Sequence, residues 1–533
     1  MISRREVLQG GAMTALALAL PFGRVRKALA GTPQTFDYYL SPTGDDNNQG
    51  TLDSPWSITA LNSKQSIYGG KSVGLLPGTY QYGTVGGVKT TLYSLYQALP
   101  QGSNDQAPML AAQGGNSSAP TYIASSDVSG NYNPRTAIID CSDPSTGDLP
   151  TASASVLGQS AYMESNVSTW GYVTIDGLII RNFTFAAIIF YGNATYALMQ
   201  GIAIKNCELY NGQNVVSNNN PAAIFIDFGQ NVTVQNCLIH DIWSNAPGSP
   251  SNMQACGYIQ FNSVGTTIKN CTFYNCCSIS NKDSWQSMDV SYCYCGWGSF
   301  GSPYSAESQY SNMGGTIHNY LCGAGETVNF HHNILIGPIL GYGESGQANE
   351  GNVLIYNNTF YKPGGIGGAA RGLMCFTDLY AANTSGGTGT FEFYNNLVFA
   401  EDGVYEGTHN SANPAAITKM GAETGGTWST LTNCDYNAYG SGMTFGQGWD
   451  AGLYAWPLSR WLGYGYDKNS TTLSSSPFSG SPSEADVSSF AITGPATTAG
   501  KGGVACGALD GSGIVGCDFV SIHIPNASVL SVG

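Results

Sequence analysis

A short phrase recurs through the middle of this chain and limits what it can fold into more than any other feature. Each copy has a short apolar-polar alternation, then a polar pair, then a second alternation; the copies are residues 204–209, 234–239, 268–273, 355–360 and 393–398. The alternations predict strands and the polar pair predicts a sharp bend. Repetition at irregular intervals predicts a parallel solenoid, whose turns place equivalent residues about 4.8 Å apart.

Two neighbouring positions of the phrase are chemically uniform. The bend carries Asn206, Asn236, Asn270, Asn357 and Asn395, with His332 as a substitute in one turn. Stacked amides can hydrogen-bond along such a column, which predicts a structural role. The next position carries Cys207, Cys237, Cys271 and, in a further turn, Cys293. We interpret these cysteines as an interior column of thiols; bridges of Cys276 and Cys277 with Cys293 and Cys295, and of Cys506 with Cys517, are the disulfide alternative.

Composition narrows the possible partners. The formal net charge is −15 with only 10% charged residues, so the surface does not suit binding to nucleic acid. At 42% hydrophobic residues the chain can bury a long core, and a solenoid grows in one dimension without outgrowing that core. We therefore expect one elongated domain, present as a monomer.

The first 30 residues predict export. Arg4 and Arg5 precede an apolar run at residues 12–22 and a small-residue end at residues 28–30, which resembles a twin-arginine signal peptide. The run is short for a permanent membrane helix, so no membrane insertion is predicted. The expected location is periplasmic or extracellular.

Several segments closely resemble a known superfamily. Residues 38–51, 74–80, 120–124 and 137–140 are similar to the opening of secreted right-handed parallel β-helix proteins, the pectate-lyase-like group with PbH1-type repeats. The resemblance implies an all-β, right-handed parallel β-helix solenoid with long loop insertions and a C-terminal appendage. It divides the chain into a signal peptide (1–30), an N-terminal cap and first coils (31–160), a central β-helix (161–400) and C-terminal coils with the appendage (401–533). A polysaccharide is the partner it implies.

A third strand in each turn predicts where sugar would bind. If Phe190, Ile226 and Phe261 point inward, period two sends Tyr191, Asp227 and Gln260 outward in one column. Aromatic, carboxylate and amide groups together suit a glycan. With Phe376 on a later strand, Tyr191 and Gln260 are the predicted substrate-binding residues.

Three functions remain open on these residues. Glycoside hydrolysis needs two carboxyl groups roughly 5 to 9.5 Å apart, and the candidates are Asp227, Asp283, Asp289, Glu344 and Asp378. Elimination from a uronate needs a base and positive charge, for which Lys282 and Arg371 are the candidates, with Ca²⁺ in acidic loops as the cofactor this chemistry allows. The excess of carboxylates favours hydrolysis. A non-catalytic glycan-binding surface or matrix protein is the third candidate.

The remaining basic and imidazole groups are assigned structural roles. Lys269 holds the same place in the phrase as Lys205, which is typical of a solvated strand residue. His331 and His332 lie at a bend, and His240 with Asp241 forms a possible oriented pair. The catalytic signatures of polygalacturonases and mannuronan epimerases are absent from the sequence, so the resemblance transfers no catalytic residue.

Overall fold

The structure, a computed structural model, describes most of the coils and parts of the C-terminal region. The described residues are 35–99, 108–161, 170–192, 199–214, 222–244, 256–282, 287–296, 317–320, 322–336, 339–342, 351–363, 374–377, 389–401, 417–420, 430–443, 445–447, 458–463, 465–483, 486–509 and 515–517. The predicted signal peptide lies outside them.

Three long sheets of parallel strands run the length of the described chain. Sheet 1 contains Tyr38–Leu40, Ser72–Leu75, Thr121–Ser125, Val173–Asp176, Ala203–Lys205, Thr233–Gln235, Thr266–Lys269, Met288–Ser291, Thr327–His331, Asn352–Tyr356, Thr390–Tyr394 and Thr430–Asp435. Sheet 2 contains Gly78–Tyr80, Ala137–Asp140, Ile179–Arg181, Glu208–Asn214, Leu238–Ser244, Thr272–Tyr274, Tyr294–Cys295, Ile334–Leu335, Thr359–Lys362, Leu397–Ala400, Ala438–Gly440 and Thr471–Leu473. Sheet 3 contains Pro108–Ala111, Ser155–Ser160, Ala186–Tyr191, Ala222–Asp227, Cys256–Phe261, Cys277–Lys282, Ile317–Tyr320, Ile339–Tyr342, Met374–Thr377, Ile417–Met420 and Phe445–Gln447.

The chain visits the sheets in rotation, so each coil adds one strand to each sheet. Equivalent residues pair in register from coil to coil: Ile204 opposes Val234, and Val234 opposes Ile268. These side chains are fully buried and belong to one continuous core along the coil axis. This is the parallel β-helix that the repeated phrase predicts.

Short elements flank the coils. The helices are Ala60–Ser63, Gln65–Tyr68, Leu92–Gln97 and Leu458–Gly463, with 3₁₀ turns at Val487–Phe490 and Gly494–Thr497. Tyr82–Val85 and Val88–Thr91 form an antiparallel hairpin, and Met199–Gln200 pairs with Gly229–Gln230. Within the described residues, no helix has the length and apolar character needed to cross a membrane.

The corner between sheets 1 and 2 confirms the predicted bends. Asn206, Asn236, Asn270, Asn357 and Asn395 all have φ between 53° and 56°, and His332 takes the same conformation at 56°. This left-handed region is costly for most L-residues, but asparagine tolerates it because its short amide can bond locally. The repeated asparagine therefore turns the chain once per coil.

The position after this bend forms a buried ladder of two chemical kinds. In four coils it holds Cys207, Cys237, Cys271 and Cys293, which are free thiols. The Cys271 thiol, for example, contacts the carbonyl of Val234 in the preceding coil at 3.7 Å. In the next four coils the same column holds Asn333, Asn358, Asn396 and Asn437.

The amide part of this ladder is continuous. Nδ2 of Asn333 donates to Oδ1 of Asn358 (3.0 Å), and Nδ2 of Asn358 donates to Oδ1 of Asn396 (3.1 Å). The predicted interior thiol column is therefore present, and amides extend it. Cys276, Cys295 and Cys506 are also free, so the alternative disulfides with these residues are not formed.

The C-terminal region closes the helix and then returns along it. The carboxylate of Asp467, which is 1% exposed, accepts hydrogen bonds from Trp461 (2.7 Å) and Tyr439 (3.0 Å) inside the last coils. The described residues from 474 to 517, here called the strap, then pack on the outer face of sheet 2. Their apolar side chains form a second core that includes Phe478 and Phe490.

Candidate functional site

The outer face of sheet 1 carries one register column with unusual chemistry. It is formed by the residue just before each bend, and it contains Lys205, Gln235, Lys269, Ser291, His331, Tyr356 and Tyr394. The residue before each position in these strands, such as Ile268 or Phe330, points into the core. Alternation therefore places the whole column on the outside of the coil.

A carboxylate and two imidazoles form a continuous chain of contacts on this face. Nε2 of His331 lies 3.2 Å from Oδ2 of Asp289, and Nδ1 of His331 lies 2.8 Å from Nδ1 of His332. An ionised Asp289 assigns the Nε2 proton to His331, so Nδ1 of His331 accepts the proton that His332 donates from Nδ1. Nε2 of His332 is then the imidazole nitrogen that carries a lone pair.

The surroundings keep Asp289 ionised. Partial burial by itself would raise the pKa of this carboxyl, but the hydrogen bond and charge of His331, the hydroxyl of Ser291 and the charge of Lys269 outweigh it and lower the pKa. Oγ of Ser291 donates to Oδ1 of Asp289 at 3.0 Å. Asp289 is therefore an acceptor that orients His331 through the physiological pH range.

Tyr292 connects the imidazoles to a cation. Its ring stacks on His332 with centroids 4.9 Å apart and planes 15° apart. Nζ of Lys269 lies 5.3 Å from the centroid of the same ring, within cation–π range. The exposed Lys269 thus supplies positive charge beside the two imidazoles.

Aromatic rings continue the column toward the C-terminal coils. The centroids of His331 and Tyr356 are 4.9 Å apart, and those of Tyr356 and Tyr394 are 5.2 Å apart, with planes within 6° of parallel. Because the rings stack on one another, they present edges and hydroxyls to a ligand rather than open faces. Burial, followed by the neighbouring Tyr394, Asp289 and Tyr292, raises the pKa of Tyr356 to about 12, so its hydroxyl stays protonated.

The predicted outward column on sheet 3 needs one correction. Tyr191 pairs with Asp227, and Asp227 pairs with Phe261 rather than with Gln260. Gln260 is fully buried, where it accepts a hydrogen bond from the Tyr258 hydroxyl (2.7 Å). It therefore points into the coil and is not available to a glycan.

The reason is that the outer face of sheet 3 is itself apolar here. Ile189, Phe225 and Ile259 form a separate buried cluster outside the main core, and Tyr191 and Phe261 pack against it. Hydrophobicity consequently does not distinguish the two faces of this strand, and the assumption that Phe261 points inward was wrong.

The other predicted site residues that the structure describes lie on sheet 3 and do not converge with Asp289. Asp227 lies on sheet 3, is 7% exposed and accepts a hydrogen bond from Nδ2 of Asn262 at 3.1 Å. Phe376 falls on the same register column as Gln260, but the side chains of Phe376 and Lys282 are outside the described part. Asp283, Glu344, Asp378 and Arg371 lie outside the described residues altogether.

Among the predicted catalytic residues whose side chains the structure describes, Asp289 is the one on the outer face of sheet 1. The sequence predicted structural roles for Lys269, His331 and His332, and it predicted no role for Tyr292. The sequence does contain a signal for them: aligning the copies at the bend places Lys269 and His331 at the position just before it, and Tyr292 and His332 at the bend itself.

A second histidine group lies on the outer face of sheet 2. The His240 ring is stacked between Tyr210 and Tyr274, with centroids 4.9 and 4.6 Å away. Its Nδ1 lies 2.7 Å from Oδ2 of Asp241, the neighbour with which the sequence suggested a pair. Nε2 lies 3.5 Å from Oε1 of Glu208, an ion-pair distance.

This buried group predicts a pH-dependent stability. Burial lowers the pKa of His240, but the hydrogen bonds and charges of Asp241 and Glu208 outweigh it and raise the pKa above its ordinary value. The stabilisation is complete below about pH 6.5, the unfolded value, and is lost as pH rises through the folded pKa. Thermal unfolding of the wild type followed against pH should show this loss, and His240→Gln should flatten the curve; an unchanged slope in the variant would contradict the assignment.

Neither described histidine group forms a metal site. In the parts of the chain that the structure describes, no three His, Cys, Asp or Glu side chains cluster closely enough to hold a metal ion. The described residues therefore provide no Ca²⁺ cage, and the calcium suggested for the acidic loops stays a prediction.

Comparisons with known proteins address the fold. No protein-family model matches the sequence, and no match was found among curated proteins. Among solved structures, the chain is similar to pectate lyase Pel9A (18% identity, TM-score 0.42, 68% of this chain and 75% of that one). It is also similar to a rhamnogalacturonan lyase (14% identity, TM-score 0.42, 68% of this chain and 81% of that one). A third similar structure is the complex of XylC with xylose (11% identity, TM-score 0.35, 83% of this chain and 86% of that one).

The strand pairing itself defines the class. Three parallel sheets, one strand of each per coil and strict register make this chain a parallel β-helix protein, as the resemblance predicted. One fold supports many chemistries, so the function depends on the site and not on the fold alone.

Proposed function

We propose that this protein is an exported polysaccharide-cleaving enzyme that acts by β-elimination on a uronate-containing glycan bound to the outer face of sheet 1. One observation carries the proposal: Asp289, His331 and His332 form an oriented relay beside the cation Lys269. This reverses the preference for hydrolysis that the excess of carboxylates favoured.

Each step of elimination has a candidate group on this face. Nε2 of His332 accepts the proton from C5 of the uronate, and the positive charge that forms on the imidazoles is stabilised through His331 by Asp289. Lys269 offsets the negative charge that builds up on the uronate carboxylate. The electron pair of the C5–H bond forms the C4–C5 double bond, the C4–O4 bond breaks, and the leaving oxygen takes a proton from water or a neighbouring hydroxyl.

The rest of this outward column on sheet 1 suits a polymer. The positions of this column recur about every 4.8 Å along the coil axis, so a chain of sugars lying along the column meets one outward side chain per coil. Lys205 and Gln235 lie on one side of the relay, and the hydroxyl-bearing Tyr356 and Tyr394 lie on the other. These groups supply the paired polar contacts that sugar hydroxyls need.

Hydrolysis is the second candidate, and one contact favours it. The carboxylate of Glu326 accepts a hydrogen bond from Ser287, which directly precedes the strand that carries Asp289. Glu326 therefore provides a second carboxyl group in this part of sheet 1, and hydrolysis needs a pair of carboxyl groups to activate water.

A panel of glycans separates these functions. The mature chain is incubated with uronate and neutral polysaccharides while reducing ends and the ultraviolet absorbance of unsaturated sugars are followed. Elimination produces both signals, and Lys269→Met and His332→Gln should abolish them while Glu326→Gln retains them. Reducing ends without absorbance, lost in Glu326→Gln, would establish hydrolysis instead. Binding without cleavage across the panel would indicate the non-catalytic alternative.

A further inference from the structure

The strap contacts the corner of the coil that carries the relay. Its apolar residues Phe478 and Phe490 pack on Tyr361 of sheet 2, with ring centroids 5.6 and 5.2 Å apart. From there the strap passes back along the coils toward sheet 2 strand Thr272–Tyr274, which lies beside the bend at Asn270. It therefore runs past the coils that carry Tyr394, Tyr356, His331 and Ser291.

A two-residue motif in the strap is used twice. The amide of Gly507 donates to the carbonyl of Asn395 (3.0 Å), and the next amide, of Ala508, donates to Oγ1 of Thr359 (3.0 Å). Further along, the amide of Gly516 donates to the carbonyl of Tyr292 (2.8 Å), and that of Cys517 donates to Oγ1 of Thr272 (3.0 Å). In both places the amide of a strap glycine binds the carbonyl of a bend residue. The amide of the next strap residue binds the hydroxyl of a threonine in a sheet 2 strand.

Glycine is required at both positions for the same reason. Gly507 has φ of +105° and Gly516 has φ of +83°, in the region that side chains disfavour. A Cβ on Gly507 would lie 2.8 Å from Oγ1 of Thr359, and a Cβ on Gly516 would lie 3.0 Å from Oγ1 of Thr272. The two sites are thus matched in backbone conformation and in the space available.

The two contacts differ in what they hold. The Gly516 contact holds Tyr292, which has a φ of 55° although it is a bulky aromatic residue. Such conformations persist where surrounding contacts enforce them. The Tyr292 ring stacks on His332 and lies beneath Nζ of Lys269, so the backbone orientation that Gly516 fixes also sets the position of both groups.

We infer that Tyr292 is a positioning residue for the Asp289–His331–His332 relay, and that the strap holds it in place through Gly516. The effect on rate rests on the proposed function, whereas the effect on the imidazoles does not. Binding of the strap thereby couples the C-terminal region to the chemistry of sheet 1.

The test compares Gly516→Ala with Gly507→Ala in the full chain, using histidine side-chain NMR titrations without substrate. The Gly516→Ala variant should shift the titration of His332, because its stacking partner moves, while Gly507→Ala should leave that titration unchanged. With a cleaved glycan, kcat should fall about 10- to 100-fold only in Gly516→Ala, since small misplacements of catalytic groups are costly. Equal titrations in all three proteins, or equal shifts in both variants, would overturn the inference.

A second variant covers the case in which Gly516→Ala does not fold. Asparagine occupies the bend in the coils of Asn270 and Asn357, so Tyr292→Asn should keep the corner while removing the ring. It should reproduce the shifted His332 titration and the loss of kcat. If no glycan is cleaved by the wild type but the titration shifts as expected, the proposed function fails and the positioning role stands. Cleavage that is unaffected in both variants, with an unshifted titration, removes the positioning role alone.

Discussion

His332→Gln should lower kcat/KM for the cleaved glycan by about 10²- to 10⁴-fold, the range that a positioned general base contributes. Glutamine preserves a polar group at the bend but cannot accept and return a proton. Initial rates from the absorbance of unsaturated product check this expectation.

Two comparisons make this result specific. His240→Gln removes a histidine on sheet 2, away from the relay, and should retain the wild-type kcat/KM at pH values where it is folded. Asp289→Asn should lose activity as well, because an amide no longer fixes the Nε2 proton on His331. Full activity in His332→Gln, or an equal loss in His240→Gln, would show that the base is elsewhere.

Asn358→Val should reduce the free energy of unfolding by about 3 kcal/mol, since each buried polar group left without a partner costs about 1–3 kcal/mol. Oδ1 of Asn358 accepts from the backbone amide and the Nδ2 of Asn333, and Nδ2 of Asn358 donates to the carbonyl of Phe330 (2.9 Å). Valine fills similar space but makes none of these bonds, and the site is fully buried.

The same ladder provides the control. Cys271 occupies the equivalent position three coils before Asn358 and is fully buried. Its thiol is a weak donor to the carbonyl of Val234, so Cys271→Val should cost less than about 1.5 kcal/mol, as isosteric core changes do. Urea midpoints of the three proteins measure the difference; equal destabilisation would mean that packing, not amide bonding, holds the column.

The partners of the acidic residues explain why an excess of carboxylates in the sequence does not by itself indicate hydrolysis. Many of the acidic residues have structural partners: Asp467 accepts from Trp461 and Tyr439, and Asp227 accepts from Asn262. Such groups satisfy buried donors. Asp289 differs from these two carboxylates because it contacts the His331 imidazole on the face that also carries the exposed Lys269.

Local chemistry accounts for the part of this protein that could be predicted from its sequence. Alternation defines strands, and asparagine tolerates the left-handed corner, so the repeated phrase was sufficient for the coil, the bends at Asn206 and Asn357, and the buried column that begins at Cys207. These features depend on residues within one phrase, and stacking repeats them.

Tertiary structure decided everything that depends on neighbours between coils. The insertions differ in length, so sequence distance does not show that Asp289 meets His331, which lies 42 residues later. The inward position of Gln260 depends on an outer apolar cluster formed by three coils, which a single strand pattern does not reveal. Likewise, the contact of Gly516 with Tyr292 exists only because the strap returns along sheet 2 and reaches a coil far earlier in the sequence.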